Sequence, residues 1–200
     1  MMDRKAIKGA AKSQIKGNWP TYFLVVFVWV LISGLVQGFF PYIPVAIVIQ
    51  PLMAYGCATM SHSIYAGRRA TFDEGFSKTF KKFGTAFVTG FMQMLYLLLW
   101  ALIPVAGIVI AAIKSYSYSL SMYITEDKNA ISGSEAVTRS RELMDGNKWR
   151  MFVQDLSFIG WILLGILTIG ILYIWLVPYM AQARYNLYQE IVKEKKVRVI

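Results

Sequence analysis

"PTYFLVVFVWVLISGLVQGFFPYIPVAIVIQPLMAYGCATMSHSIYA", residues 20–66, contains no Asp, Glu, Lys or Arg. A hydrocarbon core of about 30 Å, climbed at about 1.5 Å per residue, takes about 20 apolar residues to cross. The stretch is roughly twice that length, so it reads as two crossings joined at the uncharged turn "FFPYIP", residues 39–44. Two further hydrophobic regions, residues 83–125 and 151–192, have the same double length. Their midpoints are the uncharged turns "IPVAG" (103–107) and "YIWLVP" (173–178).

Between these regions the cations gather. Five of the 21 Lys and Arg precede the first region (Arg4, Lys5, Lys8, Lys12, Lys16) and five lie between the first and second (Arg68, Arg69, Lys78, Lys81, Lys82). Five more separate the second from the third (Lys128, Arg139, Arg141, Lys148, Arg150), and four close the chain (Lys193, Lys195, Lys196, Arg198). Basic loops stay in the cytoplasm. The pattern therefore predicts an all-α, polytopic protein of six transmembrane helices in three hairpins, with both termini cytoplasmic. Pro44, Pro104 and Pro178 stand where each second helix would open, a position that tolerates proline's missing N–H. One long kinked helix per region is the competing reading.

Composition agrees: 56% hydrophobic and 15% aromatic residues, with a mean hydropathy of +0.48, exceed what a water-facing surface carries. The first apolar run ends in Phe-Phe-Pro-Tyr rather than a small-x-small cleavage site, so it reads as an uncleaved anchor. One cysteine, Cys57, excludes an internal disulfide, and with His62 it falls short of a structural zinc set. No cofactor is expected. The net charge of +10 lies along membrane borders, which favours an anionic inner leaflet over nucleic acid as the partner.

The segments ahead of each hydrophobic region resemble one another, giving a single membrane domain over residues 1–200 with repeat units near 3–67, 71–126 and 132–192 and a basic tail, 193–200. "TFDEGFSKTFKKFG" and "SGSEAVTRSRELMDGN" open with capping-box pairs, Thr71 with Glu74 and Ser132 with Glu135. Gly17, Gly84 and Gly146 are placed to stop the three short helices. Apolar residues recur at helical spacing in each: Ile7, Ala11, Ile15; Phe72, Phe76, Phe80, Phe83; Ala136, Val137, Leu143, Met144. Such basic amphipathic helices are expected in the headgroup layer, as anchors or as docking sites for a membrane-protein partner. Trp19, Tyr22, Tyr65 and Trp149 fall at inner borders; Tyr42, Trp100, Tyr173, Trp175 and Tyr179 fall near outer ones.

Charges inside the apolar regions are the candidate site. Lys114 sits mid-span and shares a helix face with Ser117, Tyr118 and Ser121. Asp155 and Arg184 lie on the fifth and sixth spans. Since an intramembrane charge costs at least about 2.5 kcal/mol, Asp155 reads as a shared counter-ion of Lys114 and Arg184. The cluster alternatively lines a path for an ion, a proton or a small anion, or Lys114 snorkels alone. Gly34 and Gly38 form G-x-x-x-G, and Gly160, Gly165 and Gly170 recur every five residues; helix packing within the bundle or a homo-oligomer explains both. P-loop, zincin, nucleophile-elbow and C-x-x-C motifs are absent, and no enzyme is expected.

At "LWALIPVAGIVIAAIKSYSYSLSMYI", "SEAVTRSRELMDGNKWRMFVQDLSFIGW" and "GILYIWLVPYMAQARYNLYQEI", the chain resembles the bacterial integral membrane proteins grouped as domain of unknown function 975. The likeness runs over nearly the whole chain, from the "KGNW" near its start. The family-like positions are Ser140, Arg141, Leu143, Met144 and Gly146, then Trp149, the stretch "LSFIGW" with Gly160 and Trp161, and Pro178 with Tyr179; "IPVAG" departs from the family's I-P-G. The resemblance implies a bacterial cytoplasmic-membrane protein and no activity. The expectation is a non-catalytic accessory or scaffold protein; the alternative is a small transporter or permease-like channel using Lys114, Asp155 and Arg184.

Overall fold

The computed structural model describes residues 4–39, 45–101, 107–127, 132–168, 170 and 172–195. Every regular element among them is a helix: α1 (Arg4–Ile15), α2 (Trp19–Phe39), α3 (Val45–Tyr65), α4 (Phe72–Gly75), α5 (Ser77–Lys81), α6 (Phe83–Ala101), α7 (Gly107–Tyr118), α8 (Ser121–Asp127), α9 (Gly133–Met144), α10 (Lys148–Leu156), α11 (Ile159–Leu167) and α12 (Tyr173–Lys195). The expected turns at 39–44 and 103–107 fall almost wholly outside the described residues.

Three helical stretches are long and apolar enough to cross a membrane: Trp19–Gly38, Phe83–Trp100 and Lys148–Leu167. Apart from Gln37, their outward residues are apolar, among them Leu24, Phe27 and Leu35 on α2, Phe91 and Leu98 on α6, and Leu163 and Leu167 on α11. Inside lies a set of second helices, α3, α8 and α12, whose buried residues are partly polar: Thr59, Ser61 and Ser63; Ser121 and Thr125; Gln182 and Asn186. An apolar outside around a core that is itself partly polar departs from the distribution that water imposes. The inner helices share a sequence frame. "YSLSMYI" (118–124) returns as "YNLYQEI" (185–191), and in both copies the Tyr, Leu and Ile are buried; Ala58, Met60 and Ile64 occupy the matching positions of α3.

The three short segments pack in a common way. α4 docks on α2 and α3, α9 on α6, α7 and α8, and α1 on α12. Each covers the hydrophobic pair before it in the chain, with α1 closing the circle on the last. Ile7, Ala11 and Ile15, like Ala136, Val137, Leu143 and Met144, are buried in the bundle. Their apolar faces are therefore covered by protein, not left for the headgroup layer. Phe72, Phe80 and Phe83 stay exposed, with Phe72 stacked on Phe76, Phe76 edge-on to Phe80 and Phe80 stacked on Trp29.

Several local expectations change. The Thr71–Glu74 box is complete; at Ser132 only the hydroxyl half forms, because Glu135 turns to Arg139 one turn on, at 2.7 Å. Of the three glycine stops, Gly146 has φ +78° and is one, whereas Gly84 is absorbed into α6 and Gly17 keeps φ negative in a turn. The left-handed stop after α3 is Gly67, φ +75°. "YIWLVP" is not a turn: α12 starts at Tyr173 and contains Pro178 in its second turn, after Gly170 has reversed the chain at φ +85°. The fifth hydrophobic run breaks at residues 157–158 into α10 and α11. Trp19 and Trp175, expected at opposite borders, lie edge to face with centroids 6.3 Å apart, because α1 packs along α12 and carries Trp19 with it.

Close approaches fix these contacts. A Cβ on Gly90 would lie 2.4 Å from the ring of Pro51 on α3, and one on Gly133 would lie 2.5 Å from the backbone N of Thr89 on α6. Either would push two helices apart.

Candidate functional site

The inner helices do not fill the space between them. A cavity of about 600 Å³ remains, lined by Gln50 and Cys57 of α3, Gln93 of α6, Ser115 and Tyr116 of α7, Ser119, Tyr123 of α8, Asp155 of α10 and Arg184 of α12, with Met53, Met122 and Met180 as apolar wall. Helical spacing explains the lining: residues 50, 53, 54 and 57 of α3, and 177, 180, 181 and 184 of α12, are one face each.

Its charged element is an Arg–carboxylate fork. Arg184 Nε donates to Asp155 Oδ1 at 3.0 Å and Nη2 to Oδ2 at 2.8 Å. Guanidinium and carboxylate are planar and matched, so two parallel charge-assisted bonds offset the desolvation of both groups. Arg184 carries five N–H donors; among the described residues, the three not used by Asp155 have no acceptor. The site can thus present hydrogen-bond donors at a net charge of zero.

Beyond the cavity the three inner helices are tied by a second polar cluster. Asp127 accepts from Tyr188 Oη at 2.6 Å, Tyr185 Oη at 3.0 Å and Gln189 Nε2 at 3.3 Å. His62 Nδ1 lies 2.9 Å from Asp127 and 2.7 Å from Tyr185 Oη. Tyr123, which lines the cavity, meets Tyr185 edge-on and stacks on Tyr188. Buried Glu126 accepts from Tyr55 Oη at 2.5 Å and pairs with Lys78 of α5. Sequence reasoning missed this cluster. Its signal was a pair of acids, Glu126 and Asp127, at the end of an apolar run.

Lys114 belongs to neither cluster. Its Nζ stands 4.5 Å from the ring centroid of Trp100, and Trp100 Nε1 donates to Tyr118 Oη at 3.3 Å. The cation is met by an aromatic face rather than by Asp155. Ser121 bonds to the Tyr118 carbonyl at 2.6 Å and Gln93 at 3.3 Å. Ser117 instead faces α9. Ser140 Oγ donates to the Ser117 carbonyl at 2.8 Å and accepts from Leu120 N at 3.2 Å, which satisfies the backbone where α7 breaks before α8.

Of the other family-like positions, Arg141 and Gly160 are exposed, and Trp149 is 71% exposed with its ring against Phe152. Pro178 is buried in α12. Tyr179 meets Phe158 edge-on and, with Trp161, lines a separate groove beside α1. No group of three or more His, Cys, Asp and Glu suited to a metal exists among the described residues.

The family model described as protein of unknown function (DUF975) matches residues 1–128 and 105–195. No curated protein matches the chain, and no solved structure does.

Proposed function

Because the chain belongs to the family described as protein of unknown function (DUF975), which brings no activity with it, we propose a function from its own geometry. It is a multi-pass protein of the bacterial cytoplasmic membrane that admits a small polar solute to the cavity at Asp155 and Arg184, as a small transporter or permease does. The observation that carries this is a cavity that holds an Arg–Asp fork among largely apolar walls, in a bundle whose outside is apolar. Intramembrane ion pairs that face a cavity are costly and typically mark a solute path. Lys114, on Trp100, has no part in it. The role is binding and passage, without catalysis.

The topology in this reading keeps both termini and the basic segments inside, with α2–α3 and α6–α7 as crossing pairs; in the third pair the Trp19–Trp175 contact sets the start of α12 beside the inner end of α2, not at the outer border. It is supported by the packing of α2 on α3 and of α6 on α7. The scaffold reading draws less support, because the apolar faces of α1 and α9 are already covered within the bundle.

Cysteine accessibility tests the reading. In a Cys57→Ser background, Ser115→Cys and Ser119→Cys are expected to react with a charged, membrane-impermeant thiosulfonate applied to cells from outside, and Asp155→Asn to alter that rate. Protection of both positions in intact cells and in inverted vesicles would leave the cavity without access and sink the proposal. Labels at residues 75 and 130 should react only from inside, and one at residue 42 only from outside. Recovery of a stoichiometric protein partner from mild detergent, with the cavity cysteines unreactive, would favour the scaffold.

A further inference from the structure

α1 carries Lys5, Lys8 and Lys12 at i, i+3 and i+7, one stripe beside its buried face. The described part of the helix has no acidic residue, and none of the three lysines is in an ion pair among the described residues. Next to the stripe is a groove of about 330 Å³ between α1, α2, α11 and α12, lined by Lys8 and Lys12, with aromatic walls from Trp19, Trp161, Trp175 and Tyr179. Among the described residues no carboxylate lines it. Trp161 and Trp175 are about half exposed, so the groove opens on the apolar outside of the bundle.

Two cations over an apolar, indole-walled slot is a chemically divided site. One end asks for an anion, the other for hydrocarbon, and indole rings suit the boundary between them. Lys8 is held in place: its Nζ donates to the Ser157 carbonyl and to Ser157 Oγ, both at 3.2 Å, and stands 4.1 Å over the Phe158 ring. Its three donors leave one for a ligand. Burial, and then the charge of Arg4, lower the Lys8 pKa, as fits an ammonium short of counter-charge.

We propose that this groove is a binding site for one anionic phospholipid, its phosphate on Lys8 and Lys12 and an acyl chain along Trp161, Trp175 and Leu176. Basic pockets between membrane helices recognise such headgroups. By bridging α1 to α11 and α12, the lipid closes the seam between the first and last parts of the chain and steadies the Phe158 break in the fifth run. The site rests on the membrane placement proposed above, though not on the solute path.

Native mass spectrometry of the full chain in mild detergent, offered phosphatidylglycerol or phosphatidylcholine, tests it. One phosphatidylglycerol should be retained in preference to phosphatidylcholine. Lys12→Gln, whose side chain makes no contact that folding needs among the described residues, should weaken retention about fivefold, and Lys8→Gln with Lys12→Gln about 25-fold. Trp161→Ala should weaken it too, while Arg69→Gln with Lys81→Gln, an equal loss of exposed charge elsewhere, should leave it unchanged. Equal retention of the two lipids, an equal loss in the control pair, or displacement of the lipid by equimolar inorganic phosphate would each overturn the proposal. A chain that stayed soluble without detergent would instead refute the membrane placement itself.

Discussion

At Arg184 and Asp155 a single fork holds both charges, and each is costly without the other. Arg184→Gln leaves a half-buried carboxylate unpaired and should lower stability by about 3 kcal/mol, read as thermal unfolding in detergent. Adding Asp155→Asn to that variant should recover part of the loss, since a neutral pair strands no charge. Lys114 makes a different prediction. With Trp100 as its partner, Lys114→Met should change stability by no more than about 1 kcal/mol, and Lys114→Asp should not rescue Asp155→Lys. A rescue would return Lys114 to the counter-ion role its sequence position suggested. Gln154 is the residue the fold satisfies least: buried on α10, its amide has neither oxygen nor nitrogen bonded among the described residues. Gln154→Met keeps its volume and removes the orphaned groups, so it should be neutral or stabilising by about 1 kcal/mol.

Among the elements, α9 and α1 play like parts with different tolerances. α9 starts at Gly133, where a side chain would strike the Thr89 backbone of α6. Gly133→Ala should therefore cost about 2 kcal/mol and loosen α9, which limited proteolysis would detect. Gly9 in α1 faces open space, with nothing within 4 Å of an added Cβ. Gly9→Ala should stabilise by about 0.5–1 kcal/mol, the ordinary helix-propensity gain. The same substitution with opposite signs on two matching helices follows from neighbours rather than from the residue. Ser140 shows the point again: its hydroxyl serves two backbone groups of another helix, and Ser140→Ala should cost about 1–3 kcal/mol through the unpaired Leu120 N–H.

Across the whole molecule the three inner helices meet twice, once around the cavity and once around Asp127. Asp127 joins α3 and α12 through His62, Tyr185 and Tyr188, so Asp127→Ala removes charge-assisted bonds to two other helices. It should cost at least about 3 kcal/mol and free the second half of α12 to exchange amide hydrogens faster. Helix existence, the long apolar runs, the capping box at Thr71 and the stop at Gly146 were all legible in the sequence, because length, composition and capping act within a few residues. Asp155 and Arg184 were legible as a pair for a related reason: a charge in an apolar run is costly wherever the helix turns, so each needs an opposite charge. Other partnerships were not legible. That Lys114 lies on Trp100, that Lys8 reaches Ser157, 149 positions away, and that Trp19 meets Trp175 depend on which helix faces which, a choice made by the packing of glycines, rings and buried hydroxyls over the entire bundle. Local chemistry alone thus determined that this chain is helical, with long apolar runs and a few charges set within them; only the tertiary structure decided that Lys114 stands apart from the Asp155–Arg184 pair and where the cavity lies, since residues far apart in the chain feel one another only after the helices have closed.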